Sequence, residues 1–399
     1  MLTQSANQEI GLAGLRPIPS DPLLALIAMC DADPRKNKID VGVGVYRDGA
    51  GNTPVLKVIK KAEQRLLETQ LSKSYLGSAG DKGFAELLRP IVLGPFASDE
   101  RIQGVQTPGG CGALRLGFEL LATANPYARV HVGAPTWPNH PPIIEAAGLR
   151  IAEYPYYDRK TAAIRFEEMI GSLKRAEAGD VALLHGCCHN PTGADLSEDQ
   201  WREVIRTIAQ RRLIPLIDLA YQGLGQGLEE DAFGARLALE ACDEVIVAYS
   251  CDKNFGVYRD RVGTLFIKSA SRECTTRAMA HVYKCARAMW SMPPDHGAAA
   301  VRLVLEDAEL CGEWLEELAA MRKRINSIRA RIGAADPRLA YIAGQYGMFS
   351  MLPLAGDEIA ELREAHAIYM ADSGRFNLVG MGDAELDRFI AAIIDTLGT

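Results

Sequence analysis

The sequence predicts an α/β fold, with a mainly parallel sheet covered by helices on both faces. Two observations carry this. Short, continuously apolar runs recur at 130–132, 181–184, 214–217, 245–249 and 264–267, and strands that are apolar throughout are strands buried on both sides. Between two of these runs lies a segment of helical period, with Trp201, Val204, Ile205 and Ile208 behind a Ser197-Glu198-Asp199-Gln200 capping box. Strand–helix–strand alternation of this kind builds a layered α/β domain.

In chain order, residues 1–20 are mixed and carry Pro17 and Pro19 close together, which suggests an arm rather than an element. Asp21 then caps, and Pro22 opens, an apolar helix over 23–29. Residues 41–46 form an apolar extended segment whose glycines, Gly42 and Gly44, permit close backbone approach. Thr53-Pro54 is expected to cap a helix with Val55, Ile59, Ala62 and Leu66 on one face. Gly109-Gly110-Cys111-Gly112 precedes a helix containing Leu114, Phe118 and Leu121. Helical texture over 301–320 leads into a long charged helix through 321–332. A strand around 347–351 and two more helices complete the chain. The expected division is a small domain from 21–53 and 313–399 and a large one from 54–312. No internal repeat or low-complexity tract is present.

The 399 residues are 48% apolar and 24% charged, as in globular chains with a sizeable core. A net charge of −7 and the absence of a basic stripe argue against nucleic acid as a partner. Nine cysteines lack the spacing of a disulfide framework and suit a reducing compartment. Residues 1–20 lack a basic start followed by an apolar core, and nowhere do about eighteen apolar residues run together. A cytoplasmic protein with no membrane partner is the expectation.

Chemistry concentrates at the ends of the apolar runs. The run 245–249 delivers Lys253 into a short polar turn, with Arg261 eight positions on. A lysine partly desolvated beside other cations has a lowered pKa and attacks carbonyls, which is what a Schiff-base lysine requires. A lone lysine of this kind is ordinarily a surface residue, so the surrounding motifs must decide. The glycines at 109–112 leave helix-start amides free for a phosphate. Segment 185–193 holds His185, Cys187, Cys188 and His189, but adjacent cysteines cannot easily share one tetrahedral ion with both histidines. Its Asn190-Pro191-Thr192-Gly193 turn instead presents an amide at a strand end. Asp218 ends another strand; taken singly it equally suits a helix cap, while a buried carboxylate would need a cation to stabilise it.

Together these pieces resemble the class I aspartate and aromatic amino acid aminotransferases, the fold type I pyridoxal phosphate (PLP) enzymes. The resemblance runs from Asp21-Pro22-Leu23-Leu24 to Ser373-Gly374-Arg375-Phe376-Asn377. It is carried by Pro135-Thr136-Trp137-Pro138-Asn139-His140, by 185–193, by Asp218-Leu219-Ala220-Tyr221-Gln222-Gly223 and by Lys253-Asn254-Phe255-Gly256. It implies a seven-stranded sheet sandwiched by helices, plus a smaller α/β domain from both termini. It also implies PLP as cofactor, bound to Lys253, which then moves the substrate proton. Asp218 would pair with the pyridinium nitrogen, supported by His140. Asn190 and Tyr221 would bond the ring oxygen, and Trp137 would stack on the ring. Ser250, Arg261 and the amides of Gly110 and Cys111 would hold the phosphate, joined by Tyr75 of a neighbouring subunit.

For substrates, Arg375 would clamp the α-carboxylate with Gly44, Trp137 and Asn190 nearby. Arg287 would cross the interface of a homodimer to the side-chain carboxylate of aspartate or glutamate. The implied reaction moves the amino group of aspartate, and of aromatic amino acids, to 2-oxoglutarate. An aromatic preference, or a PLP-binding protein with impaired turnover, are the alternatives. A nicotinamide oxidoreductase is opposed by the lack of a G-x-G-x-x-G turn. Four positions depart from the family pattern: Cys111 in place of threonine, Asp252 of serine, Met292 of a polar residue and Tyr346 of asparagine.

Overall fold

Seven strands form the central sheet of the computed structural model, which describes residues 11–18 and 21–398. They are β1 (Ile102–Pro108), β2 (Arg129–Ala134), β3 (Arg150–Pro155), β4 (Val181–His185), β5 (Ile214–Leu219), β6 (Val245–Ser250) and β7 (Val262–Lys268). Their spatial order is β1-β7-β6-β5-β4-β2-β3. β7 is antiparallel to both neighbours, and the remaining pairs are parallel. The five interior strands are those predicted from apolar runs. β6 and β7 are buried at every position, as a strand with helices on both faces must be.

This arrangement sets the carboxyl ends of β1, β2, β4, β5 and β6 along one edge, where open α/β sheets bind ligands. Register then places individual side chains: His185 lies opposite Asp218, and Ser250 opposite Gly263. The start of the chain joins its end. Ile39–Asp40 pairs in parallel with Ile368–Tyr369, and Phe349–Met351 pairs antiparallel with Arg375–Asn377. Residues 41–46 are extended but lie outside any strand. They are tied down by Val41 N–H to Tyr369 O (2.9 Å) and by Asn377 Nδ2, which donates to Val43 O (2.8 Å) and Val45 O (2.7 Å).

The helix Pro22–Ala32 has the predicted cap, with Asp21 Oδ1 accepting from the amides of Leu23 and Leu24. Ser197 likewise makes the full capping box with Gln200. Two helix boundaries differ from expectation. Thr53-Pro54 does not cap the next helix, which starts at Lys57, and Val55 is exposed. The cap comes from far along the chain: Glu317 accepts from Lys57 N (2.8 Å) and Val58 N (3.0 Å), a partner invisible to local sequence. The predicted long helical stretch is two helices, His296–Glu306 and Ala308–Ala335, because Asp307 leaves helical geometry and caps the second through Glu309 and Leu310. The arm expected at 1–20 forms a short 3₁₀ turn at Gly11–Gly14; residues 1–10 and 19–20 lie outside the described part.

One packing contact bears directly on Lys253. Phe255 stacks on Trp314 of the long helix with centroids 4.3 Å apart and planes 4° from parallel, and Trp314 Nε1 donates to Asn254 O (2.9 Å). The lysine turn is thus pinned to the long helix by one buried aromatic pair, and truncating either ring would cost about 3–5 kcal/mol.

Candidate active site

At the carboxyl edge of the sheet lies a cleft of about 300 Å³. Of the residues singled out by sequence, Gly44, Gly110, Cys111, Trp137, Asn190, Asp218, Tyr221, Lys253, Arg261 and Arg375 all line it. They come from segments spread across more than 330 positions of sequence, and the sheet edge is what gathers them.

Lys253 sits half-buried in the turn after β6, its Nζ 5.2 Å from the centroid of the Tyr221 ring. Burial lowers its pKa and Arg261 adds to this, while Asp252 and Asp218 pull the other way. The net effect favours a neutral, nucleophilic amine at lower pH than a surface lysine allows. Asp218 stands behind the cleft floor. Its burial alone would raise the carboxyl pKa, but a hydrogen bond with His140 Nε2 (3.1 Å), together with nearby charges including Lys253, holds it below the ordinary value.

His140 is fully buried and continues the chain inward: its Nδ1 lies 2.7 Å from Thr136 Oγ1, which lies 3.1 Å from His185 Nε2. A hydroxyl gives one proton, so the order is self-consistent. With His140 Nε2–H donating to Asp218, Nδ1 accepts from Thr136, and Thr136 accepts from His185. Burial drives the His185 pKa down to about 3, so this ring stays neutral and serves the chain as a hydrogen-bond donor.

In the loop at 185–193 the side chain of His189 turns to other partners. His189 Nδ1 bonds Thr192 Oγ1 (2.9 Å), and its ring stacks on Tyr156 at 4.3 Å. The thiols of Cys187 and Cys188 do approach Asp231, but that carboxylate already accepts from the amides of Gly223, Gly225 and Gln226. Burial also pushes both thiols up, Cys188 to about 11, which opposes thiolate ligation. Asp195 fixes the loop by accepting from Cys188 N (2.6 Å) and His189 N (2.8 Å). Asn190, which lines the cleft, is left with a buried Oδ1 that has no partner.

On the opposite wall, Arg375 leaves its strand with the guanidinium 5.0 Å from the Phe349 ring centroid. Nη2 donates to Gly42 O (2.6 Å), and the buried Nε has no partner. Ser250 packs beneath Gly110 at the end of β6 rather than on the cleft surface. Tyr75 is 91% exposed and Arg287 is also exposed; neither lines this cleft. Sequence reasoning did not single out Tyr258, whose Oη accepts from Tyr46 N (3.0 Å), or Phe349, whose ring meets Tyr221 edge-on. Both line the cleft, and neither carries a polar spacing signal that would mark it.

The model of the "Aminotransferase class I and II" family matches residues 36–393. The chain belongs to this family. A tyrosine aminotransferase of Rhizobium meliloti is 47% identical over 92% of this chain and 95% of its own length. An aspartate aminotransferase of Escherichia coli is 41% identical over 95% and 98%. Among solved structures, an aromatic-amino-acid aminotransferase of Burkholderia pseudomallei, covalently bound to pyridoxal phosphate, superposes with a TM-score of 0.94. It is 36% identical, covering 97% of this chain and 100% of that one.

This aminotransferase therefore acts on small molecules with PLP as its cofactor, and among the described residues no helix is long and apolar enough to cross a membrane. The cleft fits that group. The helix Gly109–Ala124 begins on the cleft with no side-chain cap, so its first amides are free for an anion. A neutral-prone lysine, an ionised carboxylate and an unpartnered amide oxygen share the same cavity.

Proposed function

We propose that this aminotransferase moves the amino group of L-aspartate, and of aromatic amino acids, to 2-oxoglutarate, giving L-glutamate and the matching 2-oxo acid. The observation that carries the reading is Arg375. Its guanidinium commits only Nη2, to Gly42 O, and the residue lines the cavity that holds Lys253. A planar fork of donors is what an amino acid's carboxylate calls for.

In this reading Lys253 Nζ would hold the cofactor, with Asp218 toward its ring nitrogen, Asn190 and Tyr221 toward its ring oxygen and Trp137 against the ring. Arg261, Ser250 and the amides of Gly110 and Cys111 would take the phosphate, with Tyr75 from a second copy. The bound cofactor supplies an electron sink for the substrate's α-proton. Arg375 then orients the α-carboxylate, with Gly44 leaving room beside it. Lys253 Nζ, whose burial lowers its pKa, would take and return that proton. Asp218 stays ionised through His140, which the Thr136–His185 pair keeps in one tautomer.

Arg287 lies outside its own cleft, which suits a homodimer in which it serves the partner's substrate. Residues 21–53 and 313–399 are taken as the small domain, and 54–312 as the large one. Nine free cysteines suit a cytoplasmic location.

An aromatic preference is favoured by the apolar lining from Leu23, Val43, Leu114 and Phe349. Comparing aspartate, tyrosine and phenylalanine by kcat/KM, with 2-oxoglutarate as acceptor, decides between the two. Absence of turnover with all three donors, in protein carrying its cofactor, would overturn the reading.

A further inference from the structure

We propose that Asp252 is an internal counter-anion of the phosphate subsite: it fixes the Arg261 guanidinium in place and holds down the affinity for a phosphate dianion. The proposal rests on the reading above, in which Arg261 faces the cofactor's phosphate.

Asp252 is buried to 1% exposure directly before Lys253. Its Oδ2 pairs with Arg261 Nη1, and its Oδ1 accepts from Val262 N (2.9 Å). One carboxylate thus holds both the side chain of Arg261 and the amide that follows it. Arg261 needs such a brace, since its backbone sits at φ +57°, a conformation non-glycine residues avoid. The pair also occupies the ground next to the free helix start. A Cβ on Gly109, itself at φ +66°, would lie 2.6 Å from Arg261 Nη2 and 2.8 Å from Asp252 Oδ2. Only glycine leaves room there for the pair.

A phosphate dianion reaching these helix amides therefore meets a guanidinium whose charge is already balanced. Arg261 keeps Nε and Nη2 to donate, while Ser250, buried beneath Gly110 and accepting from Asp252 N (3.2 Å), lies off the cleft surface. The subsite offers hydrogen bonds without net positive charge. It should hold the cofactor more loosely than the same cradle without the carboxylate, because like charges this close repel strongly even at a protein's effective dielectric.

Asp252→Asn separates charge from bracing: it keeps an oxygen for Val262 N–H and removes the negative charge. The assay strips purified parent and variant of cofactor and reloads each with PLP or with pyridoxal, which lacks the phosphate, following the visible absorbance of the loaded lysine. Calorimetry with inorganic phosphate gives a reading independent of Lys253. The variant is expected to gain at least about tenfold more affinity for PLP than for pyridoxal and to bind inorganic phosphate tighter, any shift common to both aldehydes reporting the pull of Asp252 on Lys253. Asp252→Ser, which replaces the carboxylate by a hydroxyl donor, should move PLP affinity in the same direction if the asparagine variant folds poorly. Unchanged or weaker PLP binding, or an equal gain for pyridoxal, would overturn the proposal. Failure of the parent to load either compound would instead sink the cofactor placement on which it stands.

Discussion

Arg375→Ala removes a guanidinium that is 9% exposed and has one donor committed to Gly42 O. Nη1 makes no bond and Nε, though buried, has no partner, so the fork has two uncommitted donors. Two charge-assisted bonds to an α-carboxylate, at about 1.5–3 kcal/mol each, put the loss near 3–6 kcal/mol, or roughly 10² to 10⁴ in kcat/KM. Because every amino acid carries that carboxylate, the loss should be similar for aspartate, glutamate, tyrosine and phenylalanine. Arg375→Lys keeps the charge but not the fork and should recover about half of the free energy. The assay is steady-state kinetics with 2-oxoglutarate, run on protein whose visible spectrum shows full loading and whose melting point stays near the parent's. A loss below tenfold, or one confined to dicarboxylic donors, would mean that Arg375 does not hold the α-carboxylate.

Lys253→Ala should bind PLP yet fail to turn over, and borohydride reduction of the parent followed by peptide mapping should label Lys253; a label elsewhere refutes the assignment. Arg287→Ala should cost dicarboxylic donors about 2–5 kcal/mol and phenylalanine far less. If Arg287 serves the partner's site, mixing it with Lys253→Ala and allowing subunits to re-pair should restore about a quarter of parental activity with aspartate, since half the dimers are mixed and each has one intact site. No recovery in demonstrably mixed dimers would place Arg287 in its own site. His185, with a folded pKa near 3 against about 6.5 unfolded, gains its proton only on unfolding. Its contribution to stability is therefore present above about pH 6.5 and lost on acidification, by about 2 kcal/mol at pH 5. Denaturant titrations of parent and His185→Gln should show a shallower acid limb in the variant; parallel limbs would mean His185 takes up its proton in the folded state.

What the sequence reveals of this fold divides along a physical line. The five strands read from apolar runs are the five interior strands of the sheet, whereas β1 and β3, which it did not mark, are the two edges. An edge strand has solvent on one flank, so Ile102–Pro108 carries the half-buried Gln103, and Arg150–Pro155 carries the exposed Arg150 and Glu153. Their periodicity is diluted by the exposure that defines them. Helix starts divide the same way. Asp21 and Ser197 are local caps and are legible, whereas Glu317 caps a helix some 260 residues earlier and is not.

The site was more legible than its surroundings because strand ends punctuate the sequence. Asp218, Lys253 and the Asn190 turn each follow an apolar run, and parallel strands bring such ends to one edge automatically. Arg375 has no such mark. It reaches the cleft because Asn377, two residues on, binds the carbonyls of Val43 and Val45 and pulls that wall across the sheet edge. Tyr258 and Phe349 escape for the opposite reason. Their rings look like core, and what makes them part of the site is the cavity beside them, which exists only once distant segments have met. The pairing of Asp252 with Arg261 falls between these cases. Sequence marked Asp252 as a departure from the family pattern, and a carboxylate beside residues that would hold a phosphate is an electrostatic problem. The fold resolves it by giving one carboxylate two jobs, neutralising a guanidinium and bracing a left-handed backbone, and it is the second that an asparagine can keep while giving up the first.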